Sequence, residues 1–176
     1  MVSSASRSGR IGFALILAAA CGGGGEALGT GVPARVPPPV ELGLQTPEGT
    51  DLDLQELRGR RVLLFLFATF DGESQAVLNS LERFVERHPE IYVIGIAVQP
   101  NPEQLLDAWN TALDPPFVTT FEPRATIQEG VSDLGEIDAV PTLVLLDGDG
   151  RIENRKVGFA NFQEIEALLR APNRDP

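Results

Sequence analysis

Apolar and polar residues alternate at different periods along this chain, and the changes of period mark its elements. Val62 to Phe67 is a continuous apolar run, VLLFLF, as expected of a strand buried on both faces. The pattern then becomes helical, with Val77, Leu78, Leu81, Phe84 and Val85 on one stripe and His88-Pro89 as its stop. A second buried strand follows over 91–98, IYVIGIAV, so strand, helix and strand form a βαβ unit. Asn101-Pro102 opens another helix carrying Leu105, Leu106, Trp109 and Leu113, with Trp109 expected in the core. A short strand is expected over 117–121, and a short helix and loop over 124–135. Thr142–Leu146 and Ile152–Gly158 read as the arms of a hairpin turned by DGDG, and Phe162, Ile165, Leu168 and Leu169 mark a final helix. Ahead of all this, VELGLQTPEGTDLDLQEL suggests two short extended pieces around Pro47-Glu48-Gly49. The order predicts an α/β domain over 40–171 with a mixed central sheet flanked by helices, an N-terminal extension and an αβ insert. Residues 172–176 read as a tail.

The N-terminus has a different character. Residues 1–20 carry Arg7 and Arg10, no acid, and the apolar stretch IGFALILAAA, which is too short to span a bilayer as a permanent helix. Cys21 follows directly. LAAAC resembles the lipobox of bacterial lipoproteins, which implies lipidation of Cys21 and removal of residues 1–20. The family prefers Leu three positions before the Cys, where this chain has Ala18 and places Leu17 one position early. An ordinary secretory signal is the other reading. By analogy with enteric lipoproteins, Gly22 favours the outer membrane. Residues 21–39, with Gly22–Gly25 and Pro37–Pro39, read as a tether. It reaches at most about 60 Å extended and spans roughly 23 Å as a coil.

Composition narrows the chemistry. A net charge of −11, which becomes −13 without Arg7 and Arg10, excludes nucleic acid as a partner. A single Cys excludes an intrachain disulfide and a thiolate-rich metal site, and a single His excludes a His-rich one. Neither a metal nor a cofactor is expected. Asp147-Gly148-Asp149-Gly150 is explained by a turn, because a calcium loop needs further oxygen ligands where Arg151 stands. His88 is expected exposed at a helix end.

Two separated motifs carry a family resemblance. LRGRRVLLFLFATFDGES resembles the LRGKxVLLNFWATWCGPC segment of TlpA-like thioredoxins, and AVPTLVLLDGDGRI resembles their cis-proline loop and hairpin. The resemblance covers about residues 40–170 and implies a thioredoxin-like fold; the peroxiredoxin branch of that fold is a related possibility. It also implies a cis bond before Pro141 and a peptide-binding groove formed by Phe70, Asp71, Gly72, Glu73, Ser74, Val140 and Pro141. The family's two redox cysteines correspond to Asp71 and Ser74, and its preceding tryptophan to Phe70. Neither a carboxylate nor a hydroxyl can exchange disulfides or reduce peroxide. DGES then has three readings: a helix N-cap at Asp71 with a favourable Glu73 in the first turn, an acidic recognition spot, or an Asp71–Glu73 catalytic dyad. The expected role is non-catalytic binding of a protein or peptide at an envelope membrane. A thiol-disulfide oxidoreductase and a purely structural lipoprotein are the rival classes.

Overall fold

The computed structural model describes residues 36–170. The expected signal segment over 1–20, Cys21 and most of the tether lie outside the described residues. The elements are β1 Gly43–Gln45, β2 Asp51–Asp53, a 3-10 turn Leu54–Leu57, β3 Val62–Phe67, α1 Gly72–Arg87, β4 Tyr92–Ala97, α2 Glu103–Leu113, β5 Val118–Phe121, β6 Thr142–Leu146, β7 Ile152–Val157 and α3 Phe162–Leu168.

The strands form one mixed sheet in the order β2-β1-β5-β4-β3-β6-β7. Strands β3, β4 and β5 are parallel, while β6 runs antiparallel to β3 with Leu66 opposite Thr142. Strand β7 returns antiparallel to β6 with Thr142 opposite Val157. The parallel strands therefore finish at the end of the sheet where β6 begins and β7 stops.

The period-2 alternation of β3 sorts its side chains into two cores. Leu63, Phe65 and Phe67 face a cluster that takes Val77, Leu81 and Phe84 of α1, Leu106 and Trp109 of α2, and Ile165 and Leu168 of α3. Val62, Leu64 and Leu66 face the other cluster. That second face is closed by Val40, Leu42, Leu44 and Leu54 from the N-terminal extension and by Ile127 and Leu134 from the connection before β6.

The expected helix within 124–135 is absent; that stretch consists of turns. Ala125 (φ 57), Gly130 (φ 69) and Gly135 (φ 71) lie in the left-handed region, which interrupts a right-handed helix here. The buried Glu122 carboxylate holds the turns, accepting the backbone N–H groups of Arg124 (2.9 Å), Thr126 (2.5 Å) and Ile127 (3.4 Å). The stripe expected on α2 is also narrower than its sequence suggests: Leu106 and Trp109 are buried, but Leu105 and Leu113 are exposed.

His88 departs from its expected exposure. It caps the C-terminus of α1, packs its ring 4.8 Å from that of Phe84, and places a ring nitrogen 3.3 Å from each of Glu90 and Glu166. Its side chain is only 19% exposed, because α3 brings Glu166 across its outer edge.

At the opposite end of the sheet from the β3 carboxyl terminus, the chain enters the domain beside the β6–β7 turn. Val40 N–H donates to the Gly150 carbonyl at 2.8 Å, and the Arg58 guanidinium donates to the Val40 carbonyl at 2.9 Å. Gly150 has φ +79, a backbone that strains any other residue, and a Cβ there would displace the Arg58 guanidinium. Asp147 Oδ1 accepts the N–H groups of Asp149 (2.9 Å) and Arg151 (2.8 Å), which commits that carboxylate to the turn.

Candidate functional site

The segment joining β3 to α1 is held from below by a side chain with no motif around it. Gln99, just beyond β4, lies buried beneath the loop, and its Oε1 accepts both Thr69 N–H at 2.6 Å and Thr69 Oγ1–H at 2.9 Å. Gln75 Nε2 donates to the Thr69 carbonyl at 3.1 Å from the first turns of α1. The loop is thus pinned on both sides of its backbone. Phe70, one residue on, is left 74% exposed.

Asp71 is the N-cap of α1, with extended backbone (φ −89, ψ 123). Its Oδ2 accepts Ser74 N–H at 2.7 Å, satisfying one of the helix's orphan donors. The same oxygen accepts Ser74 Oγ–H at 2.7 Å. Ser74 is fully buried, so its hydroxyl is a packed and bonded group rather than a surface feature of the first turn. Glu73 is exposed, and its carboxylate makes no hydrogen bond or ion pair with the described residues. The cap reading of Asp71 is therefore the observed geometry. With Oδ2 engaged twice and Ser74 sealed, Asp71 and Glu73 have no positioned nucleophile between them.

The register of β3 against β6 brings the second motif to this place. The Val140–Pro141 bond is cis. The Pro141 carbonyl accepts Gly158 N–H at 2.8 Å, and Thr142 Oγ1 donates to the Ala139 carbonyl at 2.7 Å. These bonds anchor the loop on each side of Val140. Val140 itself is half-buried, and its own N–H and C=O find no hydrogen-bond partner among the described residues. Phe70–Ser74 and Val140–Pro141 thus share one end of the sheet. Two further apolar residues at that end were not singled out from sequence: Val157, 49% exposed, and Phe159, 45% exposed. The hairpin pattern placed Val157 in a strand arm, but only the pairing with Thr142 puts it beside the proline loop.

The thioredoxin-family thiol:disulfide interchange protein of Chlorobium tepidum superposes with a TM-score of 0.65 at 18% identity, covering 78% of this chain and 96% of its own. StoA of Bacillus subtilis gives 0.61 at 17% identity, with 76% and 99% covered. The fold is thioredoxin-like. The exposed lipoprotein thioredoxin Etrx1 of Streptococcus pneumoniae also aligns, at 0.61 and 18% identity, over 73% of this chain and 98% of that one. No protein-family model and no curated protein matches the chain. In this thioredoxin-like domain, the loop ahead of α1 and the loop bearing the cis proline face a common end of the sheet, and residues 36–170 contain no cysteine.

Proposed function

We propose that this chain is a lipid-anchored, extracytoplasmic thioredoxin-like protein that binds an extended peptide or protein segment without redox chemistry. The observation that supports the reading best is the unpaired backbone of Val140 next to Pro141, set at the same end as the exposed rings of Phe70 and Phe159. A main chain with an open N–H and C=O accepts an added strand, while exposed apolar side chains beside it supply pockets and area. The positions that would carry redox cysteines are Asp71 and Ser74, and these two are spent on one another. TlpA-like ancestry, with DGES as a degenerate active-site motif, is part of the same proposal.

Placement at the envelope rests on the lipobox-like LAAAC at Leu17–Cys21, and outer-membrane sorting on Gly22. Among the described residues, no helix is long and apolar enough to cross a membrane. Two measurements test the reading. Insulin-disulfide reduction in the presence of dithiothreitol should stay at the protein-free rate. Co-purification of bound polypeptides from envelope extracts should fall at least severalfold in Phe70→Ala; equal recovery with wild type would refute the groove. Turnover of insulin above the control would favour the rival thiol-disulfide oxidoreductase reading instead.

A further inference from the structure

The groove end of the domain has a skewed charge distribution. The connections that meet there are 68–71, 98–102, 122–141 and 158–161. Near that end they contain Asp71, Glu122, Glu129 and Asp138, against Arg124 as a basic residue, while the middle of 122–141 runs toward the other pole, where Asp133 Oδ2 accepts Glu41 N–H at 3.0 Å. Glu73 adds a further carboxylate in the first turn of α1. The nearest cations on β7 are committed elsewhere: Lys156 Nζ lies 3.2 Å from Glu164, and Arg155 donates to the carbonyls of Leu134 and Glu136. Asp71 and Glu122 are themselves engaged by backbone N–H groups. Glu73 and Asp138 are exposed, one just after the Phe70 loop and one just before Val140, and neither has an ion-pair partner among the described residues.

Resting on the peptide-binding reading above, we infer that the groove takes an extended segment that alternates apolar and cationic side chains. Period 2 is what an added strand imposes, with alternate side chains turned to opposite sides. One set meets Phe70, Val157 and Phe159. The other projects toward the rim, where Glu73 and Asp138 offer unpaired carboxylates. An acidic segment would meet like charge on both sides of the backbone site, with no cation of those two loops to offset it. The rim carboxylates are solvent-exposed, so they contribute selectivity and salt dependence more than affinity.

The test is fluorescence anisotropy with the full chain and three labelled ten-residue Thr/Val-based peptides. The peptides are identical except for Lys, Gln or Glu at three alternating positions. At physiological salt the Lys peptide should bind about threefold to tenfold more tightly than the Gln peptide, as expected for two exposed charge pairs. The Glu peptide should bind most weakly. Glu73→Gln combined with Asp138→Asn should abolish the Lys preference. Glu48→Gln combined with Asp114→Asn, which removes the same charge at the far end of the sheet, should retain it. Equal affinity for the Lys and Gln peptides, or equal loss in both double variants, would overturn the charge assignment and leave the groove standing. Absence of any binding that Phe70→Ala reduces would instead overturn the groove itself.

Discussion

Removing the Asp71 carboxylate tests the cap and the buried hydroxyl together. In Asp71→Ala, α1 loses its N-cap, which costs about 0.5–2 kcal/mol. Ser74 Oγ also loses its acceptor at 2.7 Å while remaining fully buried, which adds about 1–3 kcal/mol. The single variant should therefore lose about 2–4 kcal/mol. Ser74→Ala removes the hydroxyl but leaves Asp71 bonded to the residue-74 N–H at 2.7 Å, so it should cost about 1–2 kcal/mol. In the double variant the orphaned hydroxyl is gone, and its loss should total only about 2–3 kcal/mol. Urea melts followed by far-ultraviolet circular dichroism give all three values. The expected signature is a coupling of at least about 1 kcal/mol between the sites. Additivity to within about 0.3–0.5 kcal/mol would show that the two side chains act independently, and would refute the shared-oxygen geometry.

Further expectations concern other parts of the molecule. Asp71→Cys with Ser74→Cys should introduce weak insulin-disulfide reductase activity above that of the wild type, since a helix N-terminus favours a thiolate and Glu73 opposes it; a folded double variant unable to form the 71–74 disulfide would refute that geometry. Glu122→Ala should destabilise the domain by about 2–4 kcal/mol in urea melts, because three backbone donors lose their shared acceptor; a loss below about 0.5 kcal/mol would contradict the role assigned to it. Glu164 is held below the usual carboxylate range by the Asn161 backbone N–H first and by Lys156 next. A depressed carboxyl stabilises the fold above its unfolded-state pKa of about 4.3 and loses that contribution as pH falls through the lower folded-state value. The stability gap between wild type and Glu164→Ala should therefore be open at pH 7 and narrow below about pH 4; a gap that widens on acidification would reverse the assignment. Cys21→Ser should abolish incorporation of a fatty-acid analogue, and a processed protein without lipid on Cys21 would refute the anchor.

Much of this architecture was legible because its strongest signals are periodic. VLLFLF and IYVIGIAV are buried on both faces, and sheet strands with that environment need continuous apolar runs. The Asp71 cap was readable because capping is local, decided within three residues of the helix start. Ser74 shows where local reading stops. Nothing in GES tells a buried hydroxyl from an exposed one; tertiary packing around the start of α1 decides it. Gln99 and Glu122 were missed for a related reason, since each is a polar residue at the carboxyl end of a central strand whose partners lie in loops, and loops have no period. The absent helix over 124–135 is the same failure seen from the other side, since left-handed backbone at Ala125 and Gly130 interrupts it and no period announces such a turn. His88 needed knowledge of where α3 would dock.

The entry of the chain beside the β6–β7 turn bears on how force and orientation reach the domain. A pull on the N-terminal side of Val36 is received by the Arg151–Pro37, Val40–Gly150 and Arg58–Val40 hydrogen bonds. These sit at the pole of the sheet opposite Phe70 and Pro141. The load therefore passes into the β6–β7 turn and the Arg58 segment, away from the loops that bear Phe70 and Pro141.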